Sequence, residues 1–285
     1  MLRFIVDSIE WKAAFIMPKD YNLTPKPGKK IDLAAFDPGY HATYDEDTAD
    51  AEVASLRQQL DEWQEKLFAE GKQSLLCIFQ AMDTGGKDGV IKKVFETCNP
   101  QGMRVASFKA PTPDELARNF LWRIQNQVPP KGHIGIFNRS HYEDVLVVRV
   151  NQLVPKKVWK SRFEQINEFE QLLTESGTTI LKFYLHISKD EQKQRLEARL
   201  ADPKKQWKFS TGDLPVRERW DDYMAAYADA IGKCNTEAAR WHIVPANHKW
   251  YRDLVVMRAV VGALEQMNPQ YPPPEPGLDQ VVIPD

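Results

Sequence analysis

The residues best equipped for chemistry lie in one short run, QAMDTGGKDG, which packs two acids, a hydroxyl, three glycines and a lysine into ten positions between an apolar stretch, LLCIF, and a helix-like one, VIKKVFETC. A glycine-rich turn between a strand end and a helix start presents successive backbone N–H groups to one point. With the helix N-terminus they form a cradle for anions, and a lysine there reaches bound phosphates. Lys87 is that lysine, and Thr84, Gly85, Gly86, Asp88 and Gly89 are candidate cradle residues. The match to GxxxxGK[ST] has two departures: Ala81 replaces the first glycine, and Asp88 the hydroxyl residue that ordinarily touches magnesium. Asp83 is the candidate metal ligand or proton acceptor, because a carboxylate facing phosphates needs a cation between them. The plainer alternative is that Asp83 and Thr84 only shape a strand-to-helix turn.

A second group follows another apolar stretch, in HIGIFNRSHYEDVLVVRV. Ligands gather at strand C-terminal ends in open parallel sheets, so Asn138, Arg139 and the acids Glu143 and Asp144 are expected to face the phosphate loop. A P-loop enzyme usually carries an acid at this strand end. Here it is the neutral Asn138, which can orient a metal-bound water, leaving Glu143 as a supporting acid. Arg139 has the planar donor fork suited to phosphate, although a salt bridge to Glu143 or Asp144 fits the spacing equally well. The third group is cationic: Arg195, Arg199, Lys204, Lys205, Lys208, Arg217 and Arg219 flank a breaker-rich stretch. Such a segment suits a lid closing over transferring phosphates at about residues 195–220, or else a solvated helix face. Asp213 either caps the helix after it or positions an acceptor.

These groups need a scaffold, and the hydrophobic pattern supplies one. Strands are expected at LLCIF, RVASF, HIGIF, ILKFYLHI and WHIV, alternating with amphipathic helices, which indicates a mainly parallel sheet covered on both faces. Thr112 with Glu115, and Ser188 with Glu191, each read as a capping box, with Pro113 at a first helical position. Gly71 and Gly177 read as helix stops. The division expected is an N-terminal extension over 1–70 whose helix packs on the core, a P-loop core over 71–270, and a tail over 271–285 in which four prolines between Pro272 and Pro276 forbid a helix.

Composition narrows the class. The chain has 285 residues, 42% of them hydrophobic, and a net charge of −2, so it can build a large core and lacks the overall positive charge of a general nucleic-acid binder. Cys77, Cys98 and Cys234 are too scattered for a disulfide framework or a zinc site. No apolar run approaches the roughly 20 residues of a membrane span, and the opening MLRFIVDSIEWK has acids and a lysine inside any signal core, so a cytoplasmic, uncleaved protein is expected.

Read together, AMDTGGKDG, SFKAPTPDEL, FLWR, IFNRSHYEDVLVVRV, LHISKDEQKQRL, WKFSTGD and VPANHKW resemble the polyphosphate kinase 2 family, most closely its class III branch, from about Leu33 to about Pro272. The resemblance implies a thymidylate-kinase-like P-loop fold, an α/β three-layer arrangement with a central five-stranded parallel sheet and a helical lid. It implies reversible, magnesium-dependent phosphorylation of AMP or ADP from inorganic polyphosphate to give ADP or ATP, with manganese as a substitute ion, in a homodimer or homotetramer. It assigns Asp83 as metal-binding or catalytic acid, Lys87 and Arg139 to phosphates, and Arg195, Arg199 and Lys208 to the lid. Lys92, Lys109, Arg123, Asn138, His141, Glu143 and Asp213 join the loop residues as candidate phosphate or nucleotide contacts. Asn138, where other branches have aspartate in FDRS, is what class III shows. The competing readings are an ATP-dependent small-molecule kinase and a non-catalytic polyanion-binding module. Neither a membrane nor a nucleic acid is an expected partner.

Overall fold

The computed structural model describes residues 23–284. The opening segment on which the absence of a signal core was argued lies outside them. Five strands form one sheet: β1 (Ser74–Ala81), β2 (Met103–Ser107), β3 (Ile134–Asn138), β4 (Thr178–His186) and β5 (Ala239–Pro245). Their order is β2-β3-β1-β4-β5, and every pairing is parallel. All eight residues of β1, the central strand, are buried, as a strand covered on both faces requires.

The helices are α1 (Glu46–Glu70), α2 (Lys87–Phe95), the short α3 (Pro113–Leu116), α4 (Trp122–Gln125) and α5 (Val147–Val150), then α6 (Lys156–Glu175), α7 (Lys189–Ala201), α8 (Asp213–Glu218), α9 (Trp220–Lys233) and α10 (Lys249–Met267). The chain runs from β1 through α2 toward the β2 edge, and from β3 through α6 toward the β5 edge. Right-handed crossovers in opposite directions put α2 and α6 on opposite faces. Helix α10 packs beside α2 with α1 along it, and α5 packs on α6 and α9, which completes three layers. The direction of travel reverses around β1, so the crevice of this sheet opens at the C-terminal ends of β1 and β3.

Local signals explain the element ends. Gly71 takes φ +63 and closes α1 by donating to the Leu67 carbonyl, and Gly177 takes φ +91 just after α6. The Thr112–Glu115 box forms in full. Ser188 caps α7, but its own N–H donates to Asn247 Oδ1 instead of to Glu191, so only half of that box forms. Asp45 caps the start of α1 in a box with Thr48, and the acids of its first turn favour the positive helix end. Its Ala49, Val53, Leu60 and Leu67 are buried in the same core as the sheet. Among the described residues no helix is long and apolar enough to cross a membrane. The three cysteines are free and buried.

Candidate active site

The site is built on the turn between β1 and α2. Thr84 and Gly86 both adopt positive φ, +62 and +97, which curls the backbone so that the amides beginning α2 face the crevice. The first N–H groups of a helix have no intrahelical partners, so they are available to an anion. A side chain at Gly86 would collide with the Arg252 guanidinium, and one at Gly85 would lie 2.5 Å from Ala81 Cβ. Alanine is tolerated at position 81 because position 85 has no side chain. The departure from the usual loop pattern is thus compensated inside the loop.

Lys87 opens α2. It is buried, and its Nζ donates to the Ala81 carbonyl at 3.1 Å. Burial, and after it the neighbouring Arg139 charge, holds its pKa below the ordinary lysine range, although Asp83, Glu143 and Asp88 pull the other way. An ammonium so placed lacks a full counter-charge, and a bound phosphate would supply it.

Asn138 and Arg139 leave the end of β3 beside this loop. Arg139 donates from Nη2 to Asp83 Oδ1 at 2.8 Å, so its acid partner is neither Glu143 nor Asp144. Glu143 instead accepts from Gln80 Nε2 at 3.0 Å, and Asp144 pairs with Arg162 at 2.8 Å. Arg139 also has φ +64, a conformation costing roughly 1 kcal/mol or more in a residue with a side chain. Asn138 Nδ2 donates to Asp88 Oδ1 at 2.6 Å. The neutral strand end is therefore matched by an acid in the first turn of α2.

A cleft of about 520 Å³ runs along these groups, lined by the loop from Asp83 to Gly89, by Ser107 to Ala110 after β2, by Asn138 and Arg139, and by Arg199, Lys208 and Asp213 from the lid segment. Asp213 lies inside α8, whose N-cap is Gly212, so it is not the cap the sequence allowed. Burial, then the nearby Asp83 charge, raises its pKa above the usual carboxylate value. Arg199 donates to the Lys208 carbonyl at 3.3 Å, and Lys208 Nζ stands 5.0 Å over the Trp207 ring. The cleft thus brings together the start of α2, the cations Lys87, Lys109, Arg139, Arg199 and Lys208, and the acids Asp83, Asp88 and Asp213, a lining suited to a chain of phosphates.

Five candidates lie outside this lining, Glu143, held by Gln80, being one of them. His141 is fully buried, with Nε2 3.2 Å from Glu170 Oε1, because the 3-10 turn after Ser140 tucks the ring under the strand end. Lys92 is exposed on α2 and does not line the cleft. Arg123 is buried behind it, donating to the Lys109 carbonyl at 2.8 Å, so it holds the loop that bears Lys109. Arg195 is a fastener: it donates to the carbonyls of Thr84, Ala246 and Asn247 at 3.2, 2.6 and 3.1 Å and pairs with Glu191.

Two residues that sequence reasoning passed over contribute. Gln192 donates from Nε2 to the Asp83 carbonyl at 2.9 Å, and Arg252 donates to the Gly86 carbonyl at 3.3 Å while pairing with Asp253. An Arg–Asp pair inside the apolar run of α10 was the available signal, since such residues are rarely buried without a partner.

Comparison with known proteins bears on the family and the fold. The model of the Polyphosphate kinase 2 family matches residues 43–272. The chain is 51% identical over 260 residues to the AMP/ADP-polyphosphate phosphotransferase of Meiothermus ruber, covering 90% of this chain and 97% of that protein. It is 40% identical over 262 residues to the ADP-polyphosphate phosphotransferase of Rhodopseudomonas palustris, covering 87% and 91%. The crystal structure of polyphosphate kinase 2 from Arthrobacter aurescens TC1 superposes with a TM-score of 0.88 at 46% identity, over 90% of this chain and 93% of that one. With its P-loop kinase-like sheet, its glycine-rich turn between β1 and α2, and these relatives, the chain belongs to the polyphosphate kinase 2 family.

Proposed function

We propose that this protein is a phosphotransferase that moves the terminal phosphoryl group of inorganic polyphosphate to AMP or ADP, reversibly and by direct in-line displacement. The observation that carries the reading is the convergence of Lys87, the amides at the start of α2, and the Arg139–Asp83 pair on one cleft that continues to the lid cations. The names of the Meiothermus and Rhodopseudomonas relatives support polyphosphate as one substrate and an adenine nucleotide as the other.

Phosphoryl transfer needs little covalent help, so the protein's share is positioning and charge. Lys87 and the loop amides hold the transferring group. Arg139 leans on its equatorial oxygens. Arg199 and Lys208 bring further positive charge from the lid side and exclude water, while Asp213 is placed to orient the acceptor.

The donor set fits a hard divalent cation such as magnesium, or manganese in its place. Asp83 offers a carboxylate within the cleft, Asp88 lines the same wall, and among the described residues no three acids, histidines or cysteines make a cage. A magnesium ion that keeps its waters and takes phosphate oxygens needs only one or two protein carboxylates. When bound, it would neutralise phosphate charge beside Asp83. We also infer a homo-oligomer, which light scattering on the purified protein tests.

The deciding assay mixes purified protein, the divalent cation, polyphosphate and each nucleotide in turn, and separates products by charge. Formation of ADP or ATP from AMP or ADP is the expected result. Transfer from ATP alone to a small metabolite, with none from polyphosphate, overturns the reading.

A further inference from the structure

Beneath the site lies an ionic cluster that the transfer reaction does not touch. Lys182 on β4 and Glu170 on α6 are 0% and 1% exposed and meet at 2.5 Å. Lys182 Nζ also donates to Tyr142 Oη at 2.9 Å and to the Cys234 carbonyl at 2.5 Å. Tyr142 Oη in turn donates to Glu170 Oε1 at 2.8 Å, and His141 Nε2 lies 3.2 Å from the same oxygen. Burial pushes the Glu170 pKa up, but Lys182 and His141 outweigh it and hold the group below its ordinary value, so it stays a carboxylate.

A buried ion pair is a poor source of stability, because desolvation offsets the Coulomb gain and apolar residues of similar volume do as well. Its location is more informative. Two of the four side chains, those of His141 and Tyr142, directly follow Arg139 and Ser140. Arg139 holds a left-handed backbone, which persists only where its surroundings over-determine it. On one side its N–H donates to the Phe79 carbonyl at 3.0 Å, continuing the β3–β1 ladder. On the other side the ionic cluster grips residues 141 and 142, and Arg162, also on α6, grips Asp144. The turn bearing Arg139 is therefore clamped at both ends.

We propose that Glu170 and Lys182, acting through His141 and Tyr142, are positioning residues that fix the backbone of Arg139 and so aim its guanidinium at the transferring phosphate. The inference rests on the phosphotransfer reading above. A general loss of stability would lower activity whether or not Arg139 is present, whereas a positioning role vanishes with the arginine.

A mutant cycle separates the two. Rates of transfer from polyphosphate are measured for the unmutated chain, Arg139→Ala, the neutral pair Glu170→Gln/Lys182→Met, and all three substitutions together. The expected result is a loss in kcat/KM of about 10- to 100-fold from the neutral pair when Arg139 is present, and a change within about twofold when it is absent. Equal losses in both backgrounds, or none in either, overturn the proposal. Should the neutral pair fail to fold, Tyr142→Phe replaces it in the same cycle, with roughly a threefold loss expected beside Arg139 and none beside alanine; the same two contrary results count against the proposal. An unmutated chain that transfers nothing from polyphosphate would remove the functional reading and the positioning role with it, whereas an active chain with equal losses removes only the positioning role.

Discussion

The two walls of the cleft are made differently. The wall of Lys87, Asp83, Asn138 and Arg139 is set into the sheet: its lysine is buried, its loop is pinned by Arg195, Gln192 and Arg252, and its strained backbone is held from both ends. The lid wall, from the end of α7 to α8, exposes Trp207 to 78%, with Lys208 exposed and Arg199 half-buried. Even so, α7 is fastened at its root, through Ser188, Gln192 and Arg195. The contrast teaches that one half of the site is preorganised and bears backbone strain, and the other half lies more open, where on the proposed reading a chain of phosphates would order it. Preorganised groups are worth most in the transition state, and adaptable ones mostly in binding.

The sharpest way to break this contrast is Lys87→Met. Removing a cation from the fixed wall should lower kcat by about 10³-fold, or about 4 kcal/mol of barrier. A desolvated ammonium with a depressed pKa costs stability, so Tm should hold or rise. A large fall in Tm would show that Lys87 is structural. Next, Asp83→Asn removes the counter-charge of Arg139 and the cleft's candidate cation ligand. We expect kcat to fall by about 10²-fold, with more divalent cation needed for half-maximal rate; an unchanged metal requirement would move that ligand elsewhere.

The root of the lid can be probed by pH. His186 ends β4 just before α7, and burial pushes its pKa down to about 4, against 6.5 for a free ring. The unfolded chain takes up a proton near pH 6.5 that the folded chain refuses until about pH 4. Stability present above that window should fall by roughly 3 kcal/mol as the pH drops through it. Urea titrations at several pH values should show a shallower acid slope for His186→Gln, and identical slopes would mean that His186 is not held neutral. The smallest effect belongs to the free wall: Lys208→Ala should raise the KM for polyphosphate by about tenfold with little change in kcat, and should lower the salt slope of binding by about one charge. A kcat effect as large as that of Lys87→Met would erase the distinction between the walls.

Much of this was legible in the chain itself. Strand positions followed from buried apolar runs, helix ends from Gly71, Gly177 and the Thr112 box, and the β1–α2 turn from glycines between a strand and a lysine, because each depends on interactions within a few residues. The missed features depend on long-range contacts.

The local sequence determined that a curled glycine turn bearing a lysine would join a strand to a helix, since that curvature needs only glycine and a helix start. The tertiary structure alone decided which charges meet. Arg139 lies 56 positions from Asp83 and could have paired with Glu143 or Asp144 nearby; it was the alignment of β3 beside β1 that brought Asp83 within reach. The same packing sent His141 inward to Glu170, and made Arg195 a fastener while Arg199, one turn on, faced the cleft. Side-chain partners across such separations are set by which strand ends and helix faces the fold apposes, and no spacing along the chain encodes that.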